Sequence, residues 1–204
     1  MNIKAIFFDI GGVLLRTQDR TSRQQLATRL GMTNATLEEL VFEAESGQQA
    51  QLGVIPAWQH WQSLARRLGL PYEQMPAFRR DFFGGDRLDI ELLDYLRSLH
   101  QDYRTGLITN AFDDVRQPIF EEWKLGDIFD HIVISAEVGV MKPDGRIYRL
   151  ALQGLGVAAG EAVFVDDMQP NVEGARAVGM HAIRFQNTEQ TRADLERLLE
   201  NSNQ

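Results

Sequence analysis

The sequence contains no cysteine. Thiol nucleophiles, disulfide frameworks and cysteine-based zinc sites are therefore excluded. Positive charge is in deficit, with 21 Lys and Arg against 29 Asp and Glu, a net charge of −8 and a pI of about 5.0. That balance argues against nucleic acid or an anionic membrane surface as the main partner. It leaves room for a small anionic substrate, because a bound cation reverses the local sign. No apolar run approaches the roughly 18 residues that a membrane span needs. Internal repeats and low-complexity tracts are also missing. A strand pattern starts near Lys4, so no secretory leader is expected and the cytoplasm is the expected compartment.

What is present is a globular composition, 44% hydrophobic and 25% charged over 204 residues. That length suits one sizeable core with an insertion, or two small units. The stretch 4–15 organises the rest. Ile6, Phe7 and Phe8 form a short apolar run of the kind found in a strand buried on both faces. It ends in Asp9, then Ile10, Gly11 and Gly12. An acid at the end of a buried strand is costly unless paired, solvated or metal-bound. The glycines permit a sharp turn and a close approach to a ligand. Ligands of open α/β sheets sit outside the carboxyl ends of the strands. A turn-forming aspartate is the bland alternative, and this stretch alone leaves the two about even.

From residue 16 to about 86 the pattern is helical, with no convincing strand. Leu26 and Leu30 precede a stop at Gly31, and Leu37, Leu40, Val41 and Ala44 mark a second helix. Pro56 opens a third, in which Trp58, Trp61, Leu64 and Leu68 form a stripe ended by Gly69. The stripe favours packing of the tryptophans over a substrate platform. A fourth helix spans 73–83. The block is too long for a loop and reads as an inserted helical subdomain. Within it, the polar stretch 47–53 reads as a loop that reaches the site, with Gln48, Gln49 and Gln51 as contacts.

Strand–helix alternation resumes at Asp89. Helices are expected over 90–99 (Ile90, Leu93, Leu96 and Leu99 inward), 113–123, 144–153 (Ile147, Leu150 and Ala151 inward), 170–178 and 190–200. Strands are expected over 103–109, 132–134, 162–165 and around Ala182 and Ile183. This order implies a Rossmann-like, three-layer α/β core with a parallel sheet. The core takes residues 1–15 and 87–204, and a small all-helical cap takes 16–86.

The carboxyl ends of these strands carry Asp9, then Thr109 and Asn110, then Lys142 before Pro143, then Asp166 and Asp167 with Asn171 just beyond. The sheet brings them to one edge. Clustered acids repel and so imply a counter-cation, and all-oxygen ligation favours Mg²⁺. A lysine and a hydroxyl beside it suit phosphoryl oxygens. Asp9 is then placed to act as a nucleophile that forms an aspartyl-phosphate. Taken singly, Lys142 could be an ordinary loop lysine, and Asp166 with Asp167 could cap a helix.

These four motifs, in this order, resemble the haloacid dehalogenase-like hydrolases over essentially the whole chain. Phe8-Asp9-Ile10-Gly11-Gly12-Val13 resembles the first motif and Ile108-Thr109-Asn110 the second. Lys142-Pro143 resembles the third, and Val165-Asp166-Asp167 with Asn171 the fourth. The helical insertion is similar to the small cap of that family. The resemblance implies a Mg²⁺-dependent phosphatase acting on a small phosphorylated metabolite. Asp9 would be the nucleophile and a metal ligand, with the Gly11 carbonyl and Asp167 as further ligands and Asp166 direct or through water. Thr109 and the Asn110 amide would hold phosphoryl oxygens. Lys142 would neutralise both Asp9 and the phosphoryl group, and Asn171 would orient the acids.

The common first motif has an acid two residues after the nucleophile, where Gly11 stands here. General acid–base help is worth roughly 10² to 10⁴ in rate. Its loss fits a good leaving group, such as an acyl or anomeric sugar phosphate. It also fits a proton from His60, Arg16 or Asp19, or a protein that binds a phosphorylated ligand with little or no turnover. Haloacid dehalogenases of the superfamily lack that acid too, but a halide site has no use for paired acids like Asp166 and Asp167. The oligomeric state is open.

Overall fold

The structure is a computed structural model and describes residues 2–202. β1 (Ala5–Phe8) is buried at every position. It pairs in parallel with the strand at Arg104–Thr109 on one side and the strand at Ala162–Asp166 on the other. The chain leaves it through β2 (Leu15–Thr17), enters α1 (Thr21–Arg29) and α2 (Asn34–Glu38), and passes a π-helical turn at Glu39–Glu43. Then come α3 (Glu45–Gln51), α4 (Ala57–Leu68) and α5 (Met75–Phe83), and β3 (Asp86–Leu88) returns the chain. The remainder alternates: α6 (Ile90–Leu99), β4 (Arg104–Thr109), β5 (His131–Ile134), α7 (Ser135–Val138), α8 (Gly145–Leu155), β6 (Ala162–Asp166), α9 (Gln169–Ala177), β7 (His181–Arg184) and α10 (Thr188–Ser202).

Among the described residues the main sheet has the order β5-β4-β1-β6-β7, all parallel. The strand period of two sends Ile6 and Phe8 to one face and Ala5 and Phe7 to the other. The first face packs against α6 and α10 through Leu92, Leu96 and Leu195. The second packs against α8 and α9 through Ile147, Tyr148, Leu152 and Ala175. Each fully buried phenylalanine of β1 contributes about 1.5–3 kcal/mol. These are the three layers expected. The order reverses beside β1, and that switch point opens a crevice at the carboxyl ends of the strands.

The helices between β2 and β3 bury their own cluster, with Leu37, Val41, Trp61, Leu64, Phe78 and Phe82 at its centre. Several expectations are corrected here. Both ends of the insert are strands, paired antiparallel from Leu15↔Leu88 to Thr17↔Asp86, too short for alternation to show. Residues 45–51 are helix rather than loop. Gly47 lets that helix pack closely, since a Cβ there would lie 2.5 Å from the Val41 carbonyl oxygen. Gln51 is buried and donates to the Phe42 carbonyl at 2.8 Å, and Gln49 donates to Glu45 at 3.2 Å.

Trp58 is exposed while Trp61 is buried, because α4 buries the face of Ala57, His60, Trp61, Leu64 and Ala65. Ile90 and Leu150 also point to solvent, and Leu92 and Tyr148 take the inward places. The span 113–122 is helical as expected, but its winding changes along the way, from a 3₁₀ turn at Asp113–Val115 to a π-helical turn at Pro118–Glu122. No helix among the described residues is long and apolar enough to cross a membrane.

Gly106 makes room for the Phe7 ring, which would lie 2.4 Å from a Cβ at that position. Gly106→Ala is expected to cost about 1–3 kcal/mol by overpacking. Urea unfolding checks this as a lower midpoint at unchanged slope.

Candidate active site

The strands deliver the candidate residues to the switch point. β1 runs directly into Asp9, whose backbone N–H donates to Val165 O at 2.9 Å. β6 ends on Asp166 and β4 on Thr109, which is buried and stands opposite Ile134 of β5. Lys142 arrives on the loop between α7 and α8, and its bond to Pro143 is cis.

Lys142 is the centre of the cluster. Its Nζ lies 2.8 Å from Asp9 Oδ1 and 2.6 Å from Asp166 Oδ2, and it donates to Ile108 O at 3.0 Å. The ammonium therefore has a partner for each of its three hydrogens. Its backbone is fixed as firmly: Lys142 N donates to Asn110 Oδ1 at 2.8 Å, and Asn110 Nδ2 donates to Lys142 O at 3.0 Å. The Asn110 side chain is thus tied to the lysine loop rather than turned into the crevice.

Asp166 is fully buried, and both its oxygens are occupied. Oδ1 accepts from Met168 N at 2.8 Å, and Asn171 Nδ2 lies 3.1 Å from each oxygen. Tyr148 in turn holds Asn171, donating to its carbonyl at 2.8 Å. Asp9 Oδ1 accepts from Ile10 N at 2.7 Å as well as from Lys142. Among the described residues nothing donates to Asp9 Oδ2. Asp167 is half-buried and faces Gly12, where a Cβ would lie 2.5 Å from its Oδ2. Gly12 also has φ +80°, so glycine is required there twice over. Gly11 is exposed, and a Cβ on it would meet nothing within 4 Å.

Ligand oxygens of Asp9, Asp166 and Asp167 lie within 4.8 Å of one another. One ammonium does not balance three carboxylates. Burial pushes the Asp9 carboxyl up to about 7, with Lys142 pulling it down and Asp166 pushing it further up. Burial, then Asp166, also raises Asp167. A group of hard oxygen donors short of positive charge is what a divalent cation of the Mg²⁺ kind fits.

The three proton sources considered from sequence are all engaged elsewhere. His60 is buried in the helical insert, its Nδ1 paired with Ser46 Oγ at 3.0 Å, and burial pushes it down to about 4. Arg16 is paired with Asp89. Asp19 accepts from Thr21 N at 2.8 Å. Sequence reasoning missed the supports: Ile10 N, Met168 N, Tyr148, and Ser135, whose Oγ accepts from Ala111 N at 3.0 Å. Only Ser135 left a trace, directly after an apolar strand.

Residues 3–179 match the family described as haloacid dehalogenase-like hydrolase. The chain belongs to that family. It is 31% identical over 201 residues to a sesquiterpene phosphatase of Aspergillus oryzae, covering 96% of each chain. A D-ribitol-5-phosphate phosphatase of Bacteroides thetaiotaomicron is 27% identical over 202 residues, covering 95% of this chain and 97% of the relative. A haloacid dehalogenase-like enzyme of the same bacterium, solved with magnesium and inorganic phosphate, superposes with a TM-score of 0.75. It covers 91% of this chain and 95% of that one at 22% identity, a likeness of fold.

The raised Asp9 sets a pH dependence for this hydrolase. Between the unperturbed value of 3.8 and about 7, the folded state holds a proton that the unfolded state has lost. The contribution of Asp9 to stability is therefore fully present below about pH 4 and is lost as pH rises to about 7. Asp9→Asn does not titrate. In EDTA its stability relative to wild type should rise from pH 5 to pH 7 by on the order of 1 kcal/mol per pH unit. Paired chemical denaturation curves check this; a pH-independent difference would contradict it.

Proposed function

We propose that this hydrolase removes the phosphoryl group from a small phosphomonoester by way of an aspartyl-phosphate on Asp9, with Mg²⁺ as its cofactor. One observation carries the reading. Lys142 bridges Asp9 and Asp166 and leaves Asp9 Oδ2 without a donor, at the switch point where ligands of such sheets bind. An oxygen so placed is available to attack phosphorus, and the neighbouring ammonium offsets charge on the phosphoryl group. Both curated relatives described above are phosphatases, which supports the class.

Asp9, Asp167 and the Gly11 carbonyl would hold the metal, with Asp166 reaching it through water because its own oxygens are already bonded. Bound there, the metal offsets negative charge that builds on the transferring group. Asp9 Oδ2 attacks phosphorus as the bond to the leaving oxygen breaks. Water then hydrolyses the acyl phosphate, releasing inorganic phosphate and restoring the Asp9 carboxylate. Thr109 and the backbone N–H of Asn110 would hold phosphoryl oxygens, and Asn171 orients Asp166. The helical insert 16–86 would serve as the cap that selects the leaving group and excludes water. With Gly11 in place of an acid, the leaving oxygen must depart with little help. Acyl and anomeric sugar phosphates suit that demand better than simple alkyl phosphates do.

The first test is phosphate release from p-nitrophenyl phosphate, whose leaving group needs no proton. Release with Mg²⁺ that EDTA abolishes, and that Asp9→Asn reduces by about 10³-fold or more, is the expected result. No release in either condition would favour a phospho-ligand-binding protein. Metal-independent turnover of a haloacid would point to the dehalogenase chemistry of the superfamily. Gly11→Asp has room for its side chain and should raise kcat on an alkyl phosphate about 10-fold or more, with little gain on p-nitrophenyl phosphate. Equal effects on the two substrates would mean that leaving-group protonation is not what Gly11 costs.

A further inference from the structure

The helical insert is joined to the sheet covalently through β2 and β3. It also meets the sheet domain at a third place, through non-covalent contacts of the segment 110–114 that follows β4. Asn110 exchanges two hydrogen bonds with the Lys142 backbone, at 2.8 and 3.0 Å. Two residues later Phe112 is buried, and it sits in the cluster of the insert rather than that of the sheet. Its ring centroid is 5.0 Å from His60, 5.6 Å from Trp61 and 6.2 Å from Phe42.

Asp113 Oδ1 accepts from Ala57 N at 2.9 Å. That N–H begins α4, a helix whose own N-cap is Pro56, with no side-chain cap bond. The insert therefore obtains a helix cap from the sheet domain. Asp114 completes the set with a 2.8 Å ion pair to Arg79, which also stacks on Trp61 at 4.8 Å.

We propose that residues 110–114 form a latch through which the seating of the helical insert sets the position of Lys142, with Phe112 and Asp113 as positioning residues. The chain between Asn110 and Phe112 is one residue long, so it has no slack. If the insert turns on the β2–β3 ribbon, Phe112 either leaves a well-packed cluster or pulls Asn110 away from Lys142. Asp113 is exposed, and Arg79 and Asp114 are partly so. Those contacts are weak enough to break and remake, while Phe112 carries the buried area. The kinetic consequence rests on the phosphatase reading; the mechanical one does not.

The test uses full-length Asp113→Ala, Asp113→Asn, Phe112→Ala and Phe112→Leu, each first shown to melt cooperatively. With p-nitrophenyl phosphate and Mg²⁺, Asp113→Ala should raise KM about 3- to 10-fold, and Asp113→Asn should restore it, since an amide oxygen still accepts from Ala57. Phe112→Ala should lower kcat about 10-fold or more, and Phe112→Leu should recover most of it. Hydrogen exchange at the start of α4 is the second readout. Mg²⁺ with inorganic phosphate should slow it in wild type and not in Phe112→Ala. Variants that lose thermal stability while keeping wild-type KM and kcat would overturn the latch. If the wild type releases no phosphate, the phosphatase reading fails alone and exchange decides: protection abolished by Phe112→Ala sustains the latch, and protection unaffected by it refutes it.

Discussion

A single buried ammonium group decides how the carboxyl edge of this sheet is built. Lys142 places one charge between Asp9 and Asp166, and the cost of desolvating these three groups is met only if all of them stay in register. The protein spends many contacts on that register. Ile108 O takes the third lysine hydrogen, Asn110 pins the lysine backbone from both sides, and Asn171 and Met168 fix Asp166. Tyr148 and Phe164 close the layer beneath, with Tyr148 bonded to Asn171 and the Phe164 ring 5.3 Å below Nζ. The arrangement is rigid where chemistry needs it and still short of positive charge. That shortage of positive charge suits a divalent cation better than a finished salt bridge would.

The sheet order explains why these residues meet. After β1 the chain builds outward through β4 and β5, then crosses back and builds through β6 and β7. The acids at the ends of β1 and β6 are far apart in sequence, yet they lie on neighbouring strands, with Phe8 opposite Val165 one residue earlier. No short segment could bring Asp9, the Lys142 ammonium and the acidic pair together with each on a buried strand or beside one. A topology with crossovers on both faces does so.

That logic also explains what could be read without coordinates. Each inner strand of the sheet announces itself as an apolar run stopped by a polar residue, because burial on both faces permits little else. The fold and the placement of Asp9, Thr109, Asp166 and Asp167 at the carboxyl ends of their strands were legible for that reason, whereas Lys142 lies on the loop after α7, where no apolar run points to it. The three-residue strands at 15–17 and 86–88 were not, since three residues hold no period. Helix faces were legible only to within one neighbour, so Ile90 stood in for Leu92 and Trp58 was grouped with Trp61. The job of the Asn110 side chain was hidden, because its partner is a backbone 32 residues away. The docking of Asp113 on Ala57 was hidden for the same reason.

The two glycines after Asp9 look alike in sequence and differ in kind. Gly12 is forced by the backbone, since its positive φ and the Asp167 carboxylate both exclude a side chain. Gly11 is under neither constraint. It has no positive φ, and a Cβ on it would point into open space. A carboxylate could therefore stand at position 11 without disturbing the fold, so packing does not account for the glycine there. What remains is chemistry. A carboxylate at that point would add another negative charge to a cluster already short of positive charge, and under the proposed phosphatase reading its service would be to protonate a leaving group. A substrate whose leaving oxygen needs no proton removes the reason to accept that charge, and on this argument the leaving group is the first property by which candidate substrates should be sorted.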